Sequence, residues 1–304
     1  MYQEHFGLRE PPFTITPDTS FFFPHSSHQE ALNMLLIAAR SGEGFMKVVG
    51  EVGTGKTMLC RKFLDALDRT NFITAYIPNP YVGPNTLLLA VADELGLECP
   101  DRFNQHQLLK RLTSFLLESA AAGKRVILCL DEAQAMPVET LEAIRLLTNL
   151  ETKQRKLLQV VLFGQPELDA KLNDRSIRQL KQRITFSCRL RPLELGDVDF
   201  YIAHRLAIAG RRGARLFAPD AVKHIFRASS GIPRLINVLA HKALMAGFGE
   251  GAAQVMDRHV RLAVADTESV RPSVRLRSRF WRYFGLTASV ALFCASVFLW
   301  MNAA

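Results

Sequence analysis

The feature that most constrains the fold is the stretch GEVGTGKT, which runs from Gly50 to Thr57. It fits the pattern G-x-x-x-x-G-K-[ST], in which glycines let backbone N–H groups curl around phosphate oxygens. A short apolar segment, FMKVV, precedes the stretch, and a helical pattern follows it from about Lys56 to Asp68. An ordinary glycine turn is the alternative, but a strand, a loop and a helix in this order favour a phosphate-binding loop (P-loop).

Each part of this P-loop has a predicted role in holding a nucleotide. Lys56 is expected to reach the β- and γ-phosphates, and Thr57 is expected to give its hydroxyl to Mg²⁺. The helix that follows points its positive end at the same phosphates. ATP and Mg²⁺ are therefore the predicted cofactors. The residues predicted to bind the nucleotide are Gly50, Glu51, Val52, Gly53, Thr54, Gly55, Lys56, Thr57 and Met58.

A second motif, VILCLDE at residues 126–132, supplies the carboxylates that a P-loop requires. Asp131 follows an apolar strand, at the edge of a parallel sheet where ligands bind, and is predicted to hold Mg²⁺ together with Thr57. Glu132 is predicted to be the base that orients the attacking water. The alternative is a pair of acids that only caps a helix after the strand, and the P-loop upstream makes this alternative the weaker one.

Three further positions complete the predicted catalytic set. Gln165 follows the fourth strand and is expected to emerge beside Asp131, near the γ-phosphate. An arginine before the last strand can reach the phosphate of a neighbouring subunit, and Arg183 is the strongest candidate. Arg234 follows a proline at the start of a helix, from which it is expected to fold back onto the phosphates. The other arginines before the last strand are Arg175 and Arg178, for which a solvated basic helix face is the alternative.

Strand and helix patterns alternate through the first part of the chain, which predicts an α/β fold with a parallel five-stranded sheet. The predicted strands are residues 45–49, 72–77, 125–130, 157–163 and 184–188. Amphipathic helical patterns replace strands beyond residue 191, which predicts an all-helical second domain. The predicted divisions are 1–44, an N-terminal linker and helix; 45–190, a P-loop ATPase core; 191–268, a helical lid domain; 269–282, a basic linker beside the membrane; and 283–301, a transmembrane helix.

The segment from Tyr283 to Met301 predicts a membrane span because it contains no charged side chain. A helix of this length covers roughly 28 Å, close to the hydrocarbon core of a bilayer of about 30 Å. The alternative is a buried C-terminal helix, which would need protein on every side because the segment has no polar stripe. A run of arginines before the span predicts that this side is cytoplasmic. These residues are Arg271, Arg275, Arg277, Arg279 and Arg282.

Cysteine use and net charge agree with this orientation. The five cysteines are isolated and show no metal-ligand spacing, which indicates buried, reduced thiols. The N-terminus has no continuous apolar stretch, so a signal peptide is not expected. The net charge is +9, but much of it comes from the arginines beside the predicted span, so it is weak evidence for nucleic-acid binding.

Together these residues resemble an AAA+ ATPase, with Walker A at 50–57, Walker B at 126–132, a sensor-1 position at Gln165, an arginine finger and a sensor-2 arginine at Arg234. Several segments are more specifically similar to the ExeA/GspA family of secretion ATPases. They are MYQEHFGLREPPFTITPD, GEVGTGKT, LDEAQ, FGQPEL, LKQRI and GIPRLIN, and the resemblance covers residues 1 to about 270. Within the family, the chain looks most like the ATPases of mannose-sensitive haemagglutinin (MSHA) pilus biogenesis.

The resemblance implies a homo-oligomeric ring at the bacterial inner membrane, with the ATPase domain in the cytoplasm. It implies partners in a type IV pilus or type II secretion machine, whose assembly ATP hydrolysis assists. It also implies that the N-terminal Pro/Phe-rich stretch helps to close over the adenine and that Asn79 restrains Glu132. ExeA-type members continue into a peptidoglycan-binding domain, whereas three residues follow the apolar run here, so a partner protein is expected to provide any periplasmic contact.

Two other functions remain open from the sequence. DNA-associated AAA+ regulators of the transposition type share the DEAQ core, although the apolar tail and the modest charge elsewhere argue against nucleic acid as a partner. A nucleotide-gated scaffold that binds ATP and barely turns it over is the other alternative, because hydrolysis depends on an arginine from a neighbouring subunit.

Overall fold

A five-stranded sheet forms the centre of the computed structural model, which describes residues 2–100, 103–149, 156–174 and 177–270. The strands are β1 (Phe45–Val49), β2 (Phe72–Ile77), β3 (Arg125–Leu130), β4 (Leu158–Gly164) and β5 (Ile184–Arg189). Their order is β2-β3-β4-β1-β5, and each neighbouring pair is parallel. The prediction of an α/β fold with a parallel five-stranded sheet is confirmed.

Helices cover this sheet and form a bundle beyond it. In chain order they are α1 (Tyr2–His5), α2 (Ser26–Ser41), α3 (Lys56–Asp65), α4 (Pro84–Glu94), α5 (Gln105–Ala121), α6 (Val138–Leu147), α7 (Glu167–Leu172), α8 (Arg178–Arg183), α9 (Leu195–Ile208), α10 (Pro219–Ser229), α11 (Pro233–Gly249) and α12 (Asp257–Ala265). Proline opens α4, α10 and α11, at a position where its missing N–H has no partner to lose. Gly42 ends α2 in the left-handed conformation that a helix C-terminus favours.

The sheet buries apolar side chains on both faces, as parallel strands covered by helices require. Alternate residues of β1 point to opposite faces. Phe45 and Val49 lie in a core shared with α4, α5 and α6, whereas Met46 and Val48 lie in a core shared with α2 and α3. The sheet and the helices on its two faces therefore form three layers. The loops described below follow the carboxyl ends of the strands.

The N-terminal region divides between two parts of the molecule. Phe6, Phe13 and Phe21 are buried in the hydrophobic core of helices α9 to α12, which we call the lid. Helix α2 lies on the sheet instead, where Leu35 is fully buried. The sequence predicts one unit over residues 1–44, and the structure divides it because the phenylalanines complete the core of the lid. We call residues 12–23 the strap, because this segment leads from the lid core towards α2.

The predicted membrane span at 283–301 and the five arginines before it lie outside the described residues. Within the part of the chain that the structure describes, no helix combines the length and the apolarity that crossing a membrane requires.

Candidate nucleotide-binding site

The P-loop lies between β1 and α3, at the carboxyl edge of the sheet. Gly53 and Gly55 have φ angles of 82° and 97°, in the left-handed region that glycine adopts without strain. A Cβ atom at Gly50 would lie 2.6 Å from Oγ1 of Thr54, closer than real Cβ atoms approach. Backbone shape and close approach therefore both require glycine in this loop.

Lys56 begins α3 and is almost fully buried, with 5% of its surface exposed. Its Nζ donates to the carbonyl oxygen of Gly50 at 2.9 Å and to that of Glu51 at 3.0 Å. Burial lowers the pKa of Lys56, and the nearby carboxylates of Glu132 and Asp131 act in the opposite direction. The ammonium group thus lies among acceptor oxygens of the loop, where phosphate oxygens can replace the carbonyls as stronger, charged partners.

Thr57 and Asp131 meet beyond the end of β3. The hydroxyl of Thr57 donates to Oδ2 of Asp131 at 2.5 Å, and the hydroxyl of Tyr76 lies 3.5 Å from the same oxygen. Burial raises the pKa of Asp131, and the hydrogen bond from Thr57 opposes that shift. A hydroxyl and a carboxylate are hard oxygen ligands of the kind that Mg²⁺ takes together with phosphate oxygens and water, so this donor set fits Mg²⁺.

Protein ligands alone do not complete such a metal site. The described residues contain no cluster of three or more His, Cys, Asp or Glu side chains that could hold a metal ion. Mg²⁺ commonly binds through one or two protein oxygens plus the phosphates of its substrate. The Thr57–Asp131 pair therefore suits a metal that arrives with a nucleotide.

Glu132 is held in place by two glutamines. Its carboxylate accepts hydrogen bonds from the side-chain amides of Gln134 and, at 3.0 Å, Gln165, while the backbone N–H of Gln165 donates to Oε1 of Gln134. The φ angle of Glu132 is 51°, a left-handed conformation that strains a residue with a side chain. Glu132 also lines the cavity beside the P-loop. The strained backbone and the two amides thus aim one carboxylate at the space where phosphate would lie.

The structure arranges two predicted partners differently from the sequence expectation. Gln165 was expected beside Asp131, and its amide instead contacts Glu132, one residue further along. Asn79 was expected to restrain Glu132, but it is exposed and its side-chain oxygen accepts from the backbone N–H of Tyr81. Asn79 therefore shapes its own loop, and the described hydrogen bonds to Glu132 come from the glutamines.

A cavity of about 360 Å³ lies above the P-loop. We use the name floor for the P-loop and Glu132, which line the cavity, together with Asp131 and Gln165, which contact Thr57 and Glu132 from beneath. We call the strap with helices α9 and α11 the roof. The strap contributes residues 14–17 and 21–23 to the lining. Arg234, in the first turn of α11, lines the same cavity, and its backbone N–H donates to the carbonyl of Gly53 at 3.2 Å. The lid thus touches the P-loop directly, at the residue expected to fold back onto the phosphates.

A buried polar network joins the strap to the lid in this roof. Arg205 is 4% exposed, and its guanidinium lies 4.6 Å from the centroid of the Phe21 ring. It donates to the carbonyl of Pro12 and to the hydroxyl of Tyr201. That hydroxyl donates to Asn237 at 2.9 Å, whose amide in turn donates to the carbonyl of Thr14 at 3.3 Å. Two helices of the lid thereby hold two carbonyls of the strap.

The predicted arginine fingers lie far from the chain's own P-loop. Arg183 is half-buried at the end of α8, directly before β5. Ile184, at the start of β5, pairs with Phe45, at the start of β1. The P-loop follows the other end of β1. Arg183 therefore lies at the amino ends of the strands, and the length of β1 alone separates it from the P-loop by roughly 16 Å. Arg178 is exposed on the same helix, and Arg175 lies outside the described residues.

Comparison with known proteins agrees with this geometry. A family model described as an AAA domain matches residues 39–172. A relative from Aeromonas hydrophila named General secretion pathway protein A is 42% identical over 271 residues, which are 89% of this chain and 49% of the relative. The matched residues therefore form an AAA domain, and the resemblance to the ExeA/GspA family is confirmed. The chain spans about half the length of the curated relative it matches.

Solved structures show the same fold at low sequence identity. The chain superposes on Drosophila ORC bound to DNA with a TM-score of 0.65, at 19% identity over 91% of this chain and 67% of the other. It superposes on Cdc6p from Pyrobaculum aerophilum with a TM-score of 0.63, at 20% identity over 81% of this chain and 70% of the other. Similarity at this level of identity supports the fold alone.

Several residues around the cavity were not predicted from the sequence. Gln134 lies within the DEAQ motif, and its amide type beside two acids is a signal that could have been used. Tyr201, Arg205 and Asn237 lie on lid helices far from any motif, and only the folded chain brings them to the strap. His28 is also unmarked by any motif, although it lines the cavity.

Proposed function

We propose that this chain binds and hydrolyses ATP with Mg²⁺ at the cavity floor, and that it does so as a membrane-anchored ring that assists assembly of a pilus or secretion machine. The observation that carries the catalytic part is the convergence of four groups at one sheet edge. Lys56, the Thr57–Asp131 pair and the glutamine-held Glu132 all face the P-loop region. Such a set is what phosphoryl transfer to water requires.

The roles of the floor residues follow from their chemistry. Lys56 binds the β- and γ-phosphates, and Thr57 and Asp131 hold Mg²⁺, which neutralises phosphate charge when bound. Glu132 accepts a hydrogen bond from the attacking water and takes its proton. Gln165 keeps the Glu132 carboxylate in that orientation, and its side chain lies on the side of Glu132 that faces the γ-phosphate. Arg234 moves with α11 and closes onto the phosphates.

The position of Arg183 supports the proposed ring. At the opposite edge of the sheet from its own P-loop, the Arg183 side chain cannot reach its own nucleotide. It can serve a neighbouring copy, where a finger of this kind accelerates phosphoryl transfer by roughly 10³–10⁵. The active species is therefore a homo-oligomer whose sites lie between subunits.

The cellular role is proposed from the relative and from the tail. The printed name of the Aeromonas relative places that protein in general secretion, and a type II secretion or type IV pilus machine is accordingly the proposed partner. The motif resemblance to MshM, the MSHA pilus ATPase, favours a pilus. The apolar segment 283–301 anchors the chain in the bacterial inner membrane with the ATPase domain in the cytoplasm.

A subunit-mixing experiment tests hydrolysis between subunits. Lys56→Ala loses nucleotide binding, and Arg183→Ala loses the finger, so each variant alone turns over ATP at least roughly 1000-fold slower than the wild type. In a mixed ring, a Lys56→Ala subunit still has Arg183 and can place it against the intact P-loop of an Arg183→Ala neighbour. Phosphate release by the mixture is therefore expected to rise well above that of either variant alone. Arg178→Ala, at the rival candidate on the exposed face of the same helix, is measured in parallel, and retained turnover in this variant is expected if Arg183 is the finger.

Three outcomes contradict parts of this proposal. Undiminished ATP turnover in Lys56→Ala would show that ATP is not hydrolysed at the P-loop. Mixtures that show no recovery contradict an Arg183 finger supplied by the neighbouring copy. ATP binding without turnover by the wild type at any protein concentration favours the nucleotide-gated scaffold.

A sedimentation experiment tests the membrane anchor. The full chain is expected to pellet with inner-membrane vesicles and to resist extraction by high salt, because an apolar span is held by the bilayer rather than by charge. A chain that lacks residues 283–301 is expected in the supernatant. A version in which the five arginines before the span are replaced by glutamine distinguishes charge-based attachment from insertion. Salt-extractable full-length protein contradicts the anchor.

A further inference from the structure

His28, in the first turn of α2, is a buried residue that the motifs and the proposed chemistry leave without a role. Only 7% of its surface is exposed, and it lines the nucleotide cavity. Its Nε2–H donates to the carbonyl oxygen of Thr54, within the P-loop, at 2.8 Å. A side chain from another helix thus holds the backbone of the phosphate-binding loop.

This hydrogen bond fixes the direction of the peptide between Thr54 and Gly55. The described chain contains no cis peptide bond, so the carbonyl of Thr54 and the N–H of Gly55 point in opposite directions. Because the carbonyl faces His28, the N–H of Gly55 faces away from it. That N–H donates to no backbone oxygen among the loop and turn hydrogen bonds of the described residues, so it is available to an anion.

The imidazole and the glycine also fit each other in shape. A Cβ atom at Gly55 would lie 3.1 Å from Nε2 of His28, tighter than nine in ten real contacts of a Cβ atom. Glycine therefore lets the ring lie directly against the loop. The backbone N–H of Arg234 holds the preceding carbonyl, that of Gly53, from the lid side. Two successive carbonyls of the loop are thus anchored by two different parts of the molecule.

The surroundings of His28 hold it as a neutral donor. With Nε2–H donating, the neutral ring leaves Nδ1 as an acceptor, and Nδ1 is buried without a hydrogen-bond partner among the described residues. A second proton would have to lie on that unpartnered atom. Burial lowers the pKa of His28, the hydrogen bond to Thr54 opposes this shift, and nearby His25 adds to it. The ring is therefore a single oriented donor at neutral pH.

We propose that His28 is a positioning residue for the nucleotide: by holding the Thr54 carbonyl, it aims the N–H of Gly55 at the phosphates of a bound nucleoside di- or triphosphate. This inference rests on the proposed function, since it assigns no new ligand to the cavity. His28 acts through the P-loop backbone and does not touch the reacting atoms.

Three substitutions separate the hydrogen bond from the packing of the ring. His28→Gln can carry an amide N–H to nearly the position of Nε2, His28→Asn is polar but too short to reach Thr54, and His28→Leu fills space without a donor. The affinities for ADP and for adenosine are measured by competition against a fluorescent ADP analogue. Melting without nucleotide confirms that each variant folds.

Affinity for ADP is expected to fall roughly tenfold in His28→Leu and His28→Asn, the loss that one charge-assisted hydrogen bond supplies. His28→Gln is expected to restore most of it. Adenosine, which has no phosphate, is expected to bind all variants alike.

Two results overturn the inference. The first is wild-type ADP affinity in both His28→Leu and His28→Asn. The second is an equal loss of ADP and adenosine affinity without rescue by glutamine, which indicates a packing role only. Lys56→Ala, measured in parallel, separates these results from failure of the proposed function. If Lys56→Ala binds ADP normally, the nucleotide site itself is wrongly assigned; if it does not bind, only the role of His28 fails.

Discussion

The floor and the roof of the cavity are held together in different ways. On the floor, contacts join residues that follow the carboxyl ends of strands in one sheet, such as Thr57 with Asp131 and Glu132 with Gln165. In the roof, Arg205 reaches a strap carbonyl 193 positions away along the chain. The sheet thus positions the proposed reacting groups, while a separate hydrophobic core positions their cover. Floor variants are therefore expected to change turnover, and roof variants to change stability and affinity.

The largest effect is expected from Glu132→Gln, on the floor. Glutamine keeps the size of the side chain but cannot take a proton from water, so ATP turnover is expected to fall by roughly 10²–10⁴. ATP affinity is expected to persist because Lys56 and the P-loop are unchanged. Phosphate release and nucleotide binding, measured on the same preparation, check both parts.

Glu139→Gln provides the matched control for this variant. Glu139 is an exposed acid in the first turn of α6, a few residues beyond the motif. It is expected to retain wild-type turnover. If Glu132→Gln loses stability or nucleotide affinity as much as it loses turnover, then Glu132 also contributes to folding or binding. This result would contradict the expected difference between floor and roof variants.

The floor was largely predictable from the sequence, whereas only Arg234 and the Pro/Phe-rich stretch were expected in the roof. Lys56, Thr57, Asp131 and Glu132 belong to short motifs next to strands, and parallel strands bring their carboxyl ends to one edge. Gln165 was expected at this edge, but its hydrogen bond to Glu132 was not. The side-chain direction after a strand depends on backbone angles such as the positive φ of Glu132, which no pattern reveals.

The polar network of the roof was not predicted because its contacts join residues far apart in the sequence. The phenylalanines of the roof were interpreted as part of an irregular linker, whereas Phe13 and Phe21 are buried in the lid core. Amphipathic periodicity predicted helices in the lid but not which polar residues of each helix would turn inwards. A buried arginine such as Arg205 also contradicts the usual expectation that charged residues face solvent.

The second effect in size is expected from Arg205→Met, in the roof. Methionine keeps much of the volume but loses the hydrogen bonds to Pro12 and Tyr201 and the contact over Phe21. The free energy of unfolding is expected to fall by about 2–3 kcal/mol. The KM for ATP is expected to rise while kcat is retained, because the floor is untouched. Urea unfolding and steady-state kinetics provide the measurements.

Arg227→Met, an exposed arginine on α10, controls for the loss of one positive charge. It is expected to leave stability and KM unchanged. A large fall in kcat for Arg205→Met, at saturating ATP and with intact folding, would show that the roof takes part in chemistry as well as in binding.

A smaller effect is expected from Asp131→Asn, measured without nucleotide. Burial raises the pKa of Asp131 above its unfolded value, so ionisation of this carboxyl opposes folding. Its contribution to stability is full below the unfolded pKa of about 3.9 and is lost as pH rises through the folded pKa. The asparagine variant is expected to melt a few degrees higher at neutral pH, about 1–4 °C, while losing Mg²⁺-dependent turnover.

Asp93→Asn, at an exposed position of α4, is the control and is expected to leave the melting temperature unchanged. Thermal melting between pH 4 and neutrality tests the sign, because the advantage of Asp131→Asn is expected to grow as pH rises. A lower melting temperature for Asp131→Asn at neutral pH would show that the hydrogen bond from Thr57 outweighs burial.

The smallest effect, with the opposite sign, is expected at the far end of the roof. Glu250 follows α11 and accepts hydrogen bonds from His259 at 3.0 Å and Arg258 at 2.8 Å, which lower its pKa. A lowered pKa gives stability that is present above the unfolded value of about 4.3 and is lost as pH falls through the folded pKa. Glu250→Gln is therefore expected to lose part of the acid sensitivity of thermal melting.

Glu268→Gln, an exposed acid near the end of the described lid, is the control and is expected to keep the wild-type acid response. Because the Glu250 carboxylate is exposed, its effect is small and is expected to shrink further in high salt. The floor carboxylate thus favours folding when protonated, and the roof carboxylate favours folding when ionised. Equal acid responses in Glu250→Gln and the wild type would remove this contrast and leave burial at Asp131 as the main source of pH dependence.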